Sequence, residues 1–570
     1  MKKILSYSKF ILQIFFFICI INNTQAKNLD KFYKSDKISS YFSGIISLYD
    51  NDYANSYKYL KELEGLEKNH LSFSKNYQYS LINSERFKEA FNYSKKLEKQ
   101  KIDVFESNLI IGTYYLKNKK YDKALEYFKK LESNKQATVS QNILSTTLTN
   151  WLSFIRLKEN EAANIIENIP DRFSSLRRIQ KTFLYCYYNS NLANQNFIDL
   201  ASDKKTDFSR YNFFYANYLH NQGDTKAAYE FIHSITEEFP TNLILNQLRE
   251  DLKLKKNNFS NQFSCNELPH IIAEFFYITA NALSTSSLYQ LSNFYLNLAK
   301  YLNPNFISYN ALYAENLYIK NNLGEAIKIY KKIKKSGSVY SWHASKQVTR
   351  ILKKQDKRKD SIRNLKNDFK KILNPSVYTI HDYADFLKGN EQFEDSIIYY
   401  DKILNYIDEN HSLYPIALDG RGIAHERTNS WDKAEKDFLN SLRVSPNQAY
   451  VINYLAYSWI EQGKNIEKSL AMLKKANELK KNDGYIIDSL GWAFFKLGEY
   501  QKAKTYLQLA VMIMPSDPIV NDHYGDSLWM NKEKIQARYY WNYVLNLEKT
   551  EKNLKEKVKK KLISGPKFNL

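Results

Sequence analysis

The sequence predicts an all-α fold in which antiparallel helix pairs stack into a solenoid. Turn-forming residues are scarce, with 15 Gly and 10 Pro in 570 residues, whereas 46 Tyr and 33 Phe supply bulky packing groups. This composition favours helices joined by short loops over sheets. Small residues also recur at a fixed interval, and such self-similarity is typical of a solenoid built from repeated helical units.

The interval between the recurring small residues is 34 positions. It appears in three separate runs: Ser56, Ala90 and Ala124; Ser292 and Ala326; and Ser469, Ala503 and Ala537. Matching small residues precede these in the first helix of each predicted pair: Gly44, Gly112, Ala216, Ala280, Ala314, Ala384, Gly422, Gly491 and Gly525. A period of this length allows about 16 units after Ala26.

The stretch DSLGWAFFKLGEY places Gly491 inside a strong helical pattern. An interior glycine costs about 1 kcal/mol relative to alanine, so we expect another segment to pass close to its backbone. The surrounding unit carries Ile487, Leu490, Gly491 and Phe494, then Ala503, Leu507, Ala510 and Pro515. These residues resemble the tetratricopeptide repeat pattern W-x2-L-G-x2-Y, A-x3-F, P. The resemblance implies a right-handed superhelix in which Gly491 contacts the helix that contains Ala503.

The predicted domain organisation has two solenoid segments. Residues 1–26 form a signal peptide, 27–255 a degenerate N-terminal solenoid and 270–548 a better-marked C-terminal solenoid. The polar, aperiodic stretch KKNNFSNQFSCNELP, residues 255–269, is the predicted boundary. Leu554, Val558 and Leu562 lie at helical spacing and predict a capping helix over 549–563, with one buried face, followed by a tail over 564–570.

The first residues predict export. Lys2, Lys3 and Lys9 precede an apolar run from Phe10 to Ile21, and small residues end at Ala26. This order is typical of a secretory signal peptide, and the run is too short for a permanent membrane span. We expect cleavage after Ala26 and a periplasmic or secreted protein. A lipid anchor at Cys19 is not favoured because Phe16, Phe17 and Ile18 precede it.

Positive charge exceeds negative charge by 22. In an exported protein this balance does not indicate nucleic acid, so we interpret the lysines as solvated helix faces. The alternative is attraction to anionic envelope polymers or lipid headgroups, and any membrane association would be peripheral. No further apolar segment is long enough to span a bilayer after the signal is removed.

Two cysteines follow the predicted signal peptide, Cys186 in an aromatic stretch and Cys265 in a polar one. Neither belongs to a CxxC motif or a Cys/His cluster, so the sequence indicates no metal or redox motif. An oxidising compartment would permit a disulfide between them, but we expect two separate thiols.

A second face of the first helices predicts a partner-binding groove. Tyr485, Asp488, Trp492 and Phe495 share a face other than the one that contains Gly491. Asp419, Asn453 and Asp522 stand at the position of Asp488 in neighbouring units, Tyr457 and Asp526 at that of Trp492, and Trp529 lies near the same stripe. Such a row suits an extended peptide, because acids and amides pair with its backbone or basic groups. The alternative is that the acids stabilise helix dipoles and the tryptophan fills space between repeats.

The sequence does not indicate an enzyme or a cofactor. It contains no HExxH, no G-x-S-x-G and no phosphate-binding glycine loop. His381, Asp382 and Asp385 form the nearest approach to a metal cluster, but they surround the packing residue Ala384. We expect no catalytic residue, cofactor or metal.

The expected function is an exported, non-catalytic scaffold or adaptor that binds protein or peptide partners in the cell envelope through its groove. The C-terminal block, including NYLAYSWIEQGKN and PIVNDHYGDSLW, is similar to long exported tetratricopeptide repeat proteins of Gram-negative bacteria. That resemblance implies an adaptor for a periplasmic carboxy-terminal processing protease, or a component of polysaccharide export or outer-membrane assembly. An RNA-binding helical repeat and a solenoid-borne hydrolase are the weaker alternatives.

Overall fold

The computed structural model describes residues 35–68, 70–133, 137–203, 205–256 and 258–566. Within these ranges the chain forms thirty α-helices, two short 3₁₀ turns and an isolated bridge between Asn261 and Phe306 instead of a sheet. The predicted all-α solenoid of stacked helix pairs is therefore confirmed. The predicted signal peptide, residues 1–26, lies outside the described residues. No helix in the described ranges is long and apolar enough to cross a membrane.

The contacts divide the chain into two compact units, Met1–Ile372 and Leu373–Leu570. The described helices of the first unit are α1 (Ser35–Tyr49), α2 (Tyr53–Lys61), α3 (Leu71–Asn83), α4 (Phe87–Lys99), α5 (Phe105–Lys117), α6 (Tyr121–Glu132), α7 (Val139–Phe154), α8 (Glu159–Glu167), α9 (Ser174–Tyr187), α10 (Ala193–Ala201), α11 (Ser209–Asn221), α12 (Thr225–Glu238), α13 (Leu243–Lys253), α14 (Leu268–Thr285), α15 (Tyr289–Leu302), α16 (Ser308–Ile319), α17 (Leu323–Ile333), α18 (Ser338–Lys354) and α19 (Arg358–Phe369).

The second unit continues the same pattern. Its described helices are α20 (Val377–Lys388), α21 (Phe393–Tyr406), α22 (Tyr414–Arg427), α23 (Trp431–Val444), α24 (Ala449–Glu461), α25 (Ile466–Leu479), α26 (Gly484–Lys496), α27 (Tyr500–Ile513), α28 (Pro518–Met530), α29 (Lys534–Asn546) and α30 (Lys552–Ser564).

The turn inside most of the described pairs is short and contains a residue in the left-handed conformation, and the turn between α7 and α8 is an exception. Gly498, at φ +78°, separates α26 from α27, and Lys532, at φ +67°, separates α28 from α29. Beyond Gly498, the backbone N–H of Glu499 donates to the carbonyl of Phe494 at 2.9 Å and so satisfies the end of α26. Equivalent left-handed residues recur in other pairs, among them Glu85, Lys119, Ser287, Asn321, Glu391 and Asn429.

The two helices of a pair touch where a glycine of the first meets a large residue of the second. An added Cβ at Gly491 would lie 2.7 Å from Cγ of Leu507 and 3.1 Å from its backbone nitrogen. The predicted contact between Gly491 and the helix of Ala503 is thus confirmed. The same approach, always to the residue sixteen positions further on, occurs at Gly44 and Leu60, Gly112 and Phe128, Gly422 and Phe438, and Gly525 and Trp541.

In the first unit, α15 packs on the face of α3 and α5 that lines the groove in tetratricopeptide repeats. Phe294 lies edge-on to Tyr79 at 4.9 Å, and the Asn297 amide donates to Asn83 at 3.1 Å. Lys117 of α5 reaches the carbonyl of Leu302 at 3.1 Å. A helix of the same unit therefore fills this part of the groove.

The boundary predicted at residues 255–269 falls inside the first unit, because this segment is bound to helices on both sides of it. Asn261 donates to the Tyr340 hydroxyl at 2.9 Å and accepts the backbone N–H of Ser308 at 2.9 Å. Cys265 forms a disulfide with Cys186 of α9. The expectation of two separate thiols is wrong, since the fold brings together two residues 79 positions apart in sequence.

The last helix, α30, ends the second unit with one face packed against it. Val558 is fully buried, and Leu554 and Leu562 pack against the same core cluster as Trp541. This is the face that the sequence spacing predicts for the closing helix.

Replacing Gly491 by alanine should destabilise the second unit by about 1–3 kcal/mol, because the new methyl group overlaps Leu507 and its backbone. Helix propensity alone predicts the opposite sign. Gly324→Ala is the matched control, since an added Cβ there meets nothing within 4 Å. Urea denaturation followed by circular dichroism checks both variants, and a stabilised Gly491→Ala protein would contradict the packing argument.

Candidate partner-binding groove

The first helices of the second unit present two rows of equivalent residues. Each row is set by the small residue that packs on the second helix: Gly422, Ala456, Gly491 and Gly525. The acidic row lies three residues before it and consists of Asp419, Asn453, Asp488 and Asp522. The aromatic row lies one residue after it and consists of Ile423, Tyr457, Trp492 and Asp526. These rows occupy the groove-lining face of tetratricopeptide repeats.

Asp488 is buried and paired with a histidine from the next helix pair. The Nδ1 atom of His523 lies 3.0 and 3.1 Å from the two carboxylate oxygens of Asp488. Burial alone would lower the pKa of His523, but Asp488, with Asp522 and Asp526, outweighs burial and raises it above the usual value. Asp488 therefore already has a basic partner within the chain.

Trp492 and Phe495 form a buried stack with the same histidine. The Trp492 ring lies 4.0 Å from the His523 ring and 4.6 Å from the Phe495 ring, nearly parallel to both. The Trp492 indole N–H donates to Glu461 at 2.6 Å. These contacts join α24, α26 and α28 across neighbouring repeats, so the two aromatic residues contribute packing rather than an open surface.

A lysine of the closing helix neutralises the acids of the last pair. Lys561 Nζ lies 2.8 and 2.7 Å from the two oxygens of Asp522 and 2.7 Å from Asp526. Burial raises the pKa of Asp526 to about 7, although Lys561 opposes that shift. The acidic row thus ends in a buried carboxylate pair that depends on one ammonium group.

The first two positions of the acidic row, Asp419 and Asn453, lack such partners. Among the described residues, the side chain of Asp419 accepts no hydrogen bond, and Oδ1 of Asn453 is buried without a donor. Burial raises the pKa of Asp419 to about 6, Lys388 opposes the shift and Asp385 adds to it. Tyr457 faces this region half-buried, and burial with nearby Glu461 and Asp488 raises the pKa of its hydroxyl. Asp419, Asn453 and Tyr457 are therefore the predicted site residues that keep a polar side-chain atom without a hydrogen-bond partner among the described residues.

The remaining predicted residues lie at the margins. Tyr485 is 58% exposed, and it belongs to an exposed edge row that also contains Ile416, Tyr450 and Ile519. Trp529 is half-buried beside Trp541 at 5.4 Å, and the backbone at Gly565 covers it, because an added Cβ there would meet the indole at 2.4 Å. Trp529 is a contact of the chain's own C-terminal segment.

Sequence reasoning missed His523, Glu461 and Lys561. Each of these residues reaches a row residue from a different helix, as in the spacing of 35 residues between Asp488 and His523. The sequence shows this spacing, but the pattern within one repeat does not reveal which side chain of a neighbouring repeat a residue contacts. The edge row at Ile416, Tyr450 and Ile519 was also missed, although its residues stand at the repeat position of Tyr485.

The predicted approach to a metal cluster lies at the first end of the unit. His381 stands 3.7 Å from Asp385, whose other oxygen receives Lys388 at 2.8 Å. An ammonium group is therefore bonded to this carboxylate. In the described part of the chain, no group of three or more His, Cys, Asp or Glu side chains is arranged to hold a metal ion.

Comparison with known proteins identifies the repeat. Residues 344–550 match the sequence model described as a tetratricopeptide repeat. Residues 344–550 therefore carry tetratricopeptide repeats. A TPR repeat-containing protein of Pseudomonas aeruginosa, PA4667, is 28% identical over 146 residues, which are 25% of this chain. The aligned part spans only 23% of that relative's length.

Several solved structures are similar to about a third of the chain. They include YrrB, described as a TPR protein with an unusual peptide-binding site, at 17% identity and TM-score 0.27, covering 32% of this chain and 92% of YrrB. The thermophilic TPR protein TTC0263 of Thermus thermophilus gives 14% identity and TM-score 0.28 over 33% of this chain and 99% of its own. MamA of Desulfovibrio magneticus RS-1 gives 16% identity and TM-score 0.27 over 32% and 99%.

Replacing Lys561 by methionine should destabilise the second unit by about 3–5 kcal/mol near neutral pH, because Asp522 and Asp526 lose their buried counter-charge. Lys557→Met is the control, since Lys557 lies exposed on the same helix. The measurement is urea denaturation of both variants and the unchanged protein.

The loss caused by Lys561→Met should shrink in acid. A carboxyl whose pKa is higher in the folded state destabilises that state as pH rises toward this value, here about 7 for Asp526. At about pH 5 the Asp526 proton removes one of the unpaired charges. An equal loss at about pH 5 and about pH 8 would show that the acids do not require the lysine.

Proposed function

We propose that this protein is an exported interaction scaffold and that the groove of its second unit binds an extended segment carrying a basic side chain. Tetratricopeptide repeats suggest a protein–protein interaction scaffold, and their all-α solenoid is typically non-catalytic. We add to these statements a preference for a basic partner, export from the cytosol and a location in the cell envelope.

One observation carries the proposed specificity: Asp419 is the acid of the row without a basic side chain bonded to it. Asp488 holds His523, and Asp522 holds Lys561. The cation whose charge acts on Asp419, Lys388, bonds Asp385 instead. A half-buried carboxylate gains most from a cation brought by a ligand, because charge-assisted hydrogen bonds are about twice as strong as neutral ones.

The residues around Asp419 suit an extended polypeptide. Asn453, the next residue of the acidic row, has a side-chain oxygen that no donor among the described residues satisfies. Ile416, Tyr450 and Tyr485 supply exposed apolar contacts along the same edge. Phosphate groups would be repelled by the acids in this groove, so we favour a protein segment over RNA.

Asp419→Asn should weaken binding of lysine- or arginine-containing peptides about 10- to 100-fold, the loss expected for a hydrogen bond between charged groups. The measurement is fluorescence anisotropy against a peptide library, with basic positions replaced by glutamine in matched peptides. Glu478→Gln is the control, because it removes an equal charge from an exposed site on α25. Equal affinity of Asp419→Asn and the unchanged protein would overturn the proposed specificity.

Binding of the same peptides should fall as pH drops through about 6, where the free Asp419 carboxyl becomes protonated. A peptide cation favours the charged form, so the complex should retain affinity to a somewhat lower pH than the free group suggests. In Asp419→Asn this part of the pH dependence should be absent. A pH profile identical in both proteins would assign the titration to another group.

The disulfide supports export. Disulfides persist in oxidising compartments and are rare in the cytosol of mesophiles, and Cys186 and Cys265 are bonded here. The basic, apolar and small-residue order of residues 1–26 supports the same location. An envelope scaffold would use the bond to strengthen the long first unit.

In intact cells, Cys186 and Cys265 should resist alkylation until a reductant is added, as mass spectrometry of the trapped protein would show. Cys186→Ala should also destabilise the first unit by about 2–4 kcal/mol, as expected for removal of a native disulfide. Free thiols in protein recovered from cells would contradict both the bond and the proposed compartment.

Crosslinked capture from envelope fractions then identifies the partner. A processing protease, an export component and an outer-membrane assembly factor are the classes that the sequence resemblance implies. Comparison of the unchanged protein with Asp419→Asn separates partners bound through the groove from partners bound elsewhere. Partners that persist with Asp419→Asn use another surface.

A further inference from the structure

We propose that the C-terminal end of the second unit, formed by α29 and α30, docks on the surface of an anionic lipid bilayer. The inference is independent of the groove and concerns the outer faces of these two helices. It starts from apolar side chains that the fold leaves in solvent.

Helix α29 has two apolar faces and buries only one. Ala537, Trp541 and Val544 face the core. Ile535, Tyr539 and Tyr543 lie at i, i+4 and i+8 on the outer side, and Ile535 and Tyr539 are 83% and 68% exposed. An exposed stripe at helical spacing is unlike scattered single apolar residues and indicates a contact surface.

Helix α30 places lysines and another exposed isoleucine beside this stripe. The segment from Lys549 to Pro566 contains seven lysines and two glutamates. Val558 faces the core and Lys561 the acidic row, whereas Lys552, Lys557, Lys559 and Lys560 lie in solvent. Ile563, at 84% exposure, extends outward near the end of the helix.

A direct contact makes the two helices one surface. Arg538 Nε donates to the carbonyl of Leu562 at 3.4 Å. Ile535 lies one turn before Arg538, and Ile563 follows Leu562, so the exposed isoleucines flank this contact. We call Ile535, Arg538, Tyr539, Lys559, Lys560 and Ile563 the terminal surface.

The chemistry of the terminal surface matches a lipid headgroup region better than a soluble polyanion. Lysine and arginine attract anionic headgroups, while isoleucine and tyrosine partition into the interface below them. A soluble polyanion would use the cations but would gain nothing from Ile535 and Ile563. Lysine stems can also cover apolar area while their ammonium groups remain hydrated.

The test is vesicle co-sedimentation of the purified protein with mixed phosphatidylglycerol–phosphatidylcholine vesicles and with pure phosphatidylcholine vesicles. We expect binding only to the anionic vesicles, weakened by salt. Lys559→Gln with Lys560→Gln should weaken binding by about fivefold per lysine. Lys331→Gln with Lys335→Gln, an exposed pair at and just after the end of α17, is the control for net charge and should have little effect.

A second variant set tests insertion. Ile535→Ser with Ile563→Ser should reduce binding to anionic vesicles at least as strongly, although no charge changes. In Tyr539→Trp, the new indole should shift its fluorescence to shorter wavelength and be quenched by brominated lipid. Asp419→Asn should bind vesicles as the unchanged protein does, so failure of the groove proposal and failure of this one are distinguishable.

Three outcomes would overturn the inference. Equal loss in the control pair would show that binding follows net charge alone. Full binding by Ile535→Ser with Ile563→Ser would indicate attraction of a polyanion without insertion. A concentration-dependent dimer that dissociates in the isoleucine variant, without vesicle binding by either protein, would assign the surface to a second copy of the chain.

Discussion

The close approach of two helices within each pair is the constraint on which the rest of the structure depends. At Gly112, Gly422, Gly491 and Gly525, a side chain of the second helix occupies the volume that a Cβ would need. This contact fixes which face of the first helix is buried against its partner. The residues on the opposite face of that helix are then determined as well. Because the small residues recur every 34 positions, the same face has the same orientation in successive pairs. The groove rows are therefore a consequence of packing, since their positions follow from where the small residues lie.

The two units fill this groove face by different means. In the first unit, one helix, α15, lies on α3 and α5, with Phe294 against Tyr79 and polar contacts at Asn83 and Lys117. In the second unit, single side chains cover this face. His523 bonds Asp488 and stacks on Trp492, and Lys561 bonds Asp522 and Asp526. A packed helix satisfies a long stretch of groove at once. Single side chains satisfy only the position they reach, so Asp419 stays without a bonded cation among the described residues.

The features that could be predicted from the sequence are those encoded within one repeat. The helical class, the contact at Gly491 and the buried face of Leu554, Val558 and Leu562 depend on spacings that one pair contains. The burial of Asp488 could not be predicted this way, because it depends on which side chain of the following pair points back. The Cys186–Cys265 disulfide and the contacts of Asn261 join residues in different pairs, so a repeat pattern does not predict them. The repeat spacing predicts the row, but not that its members without a bonded partner stand in the first two of its four units, at Asp419, Asn453 and Tyr457.

The acidic row differs in charge from the rest of the chain. The chain carries a net charge of +22, yet its groove row is acidic, and the lysines lie largely on outer helix faces. A buried carboxylate is expensive unless a cation or hydrogen-bond donors accompany it. The chain meets that requirement at Asp488 with an imidazole whose pKa is raised and at Asp522 with an ammonium group, and the two groups come from different helices. Asp419 presents the same requirement without an in-chain ligand, and its pKa of about 6 leaves it largely ionised at neutral pH. By the rule that the other acids of the row obey, a partner that brings a cation would satisfy Asp419, as we propose.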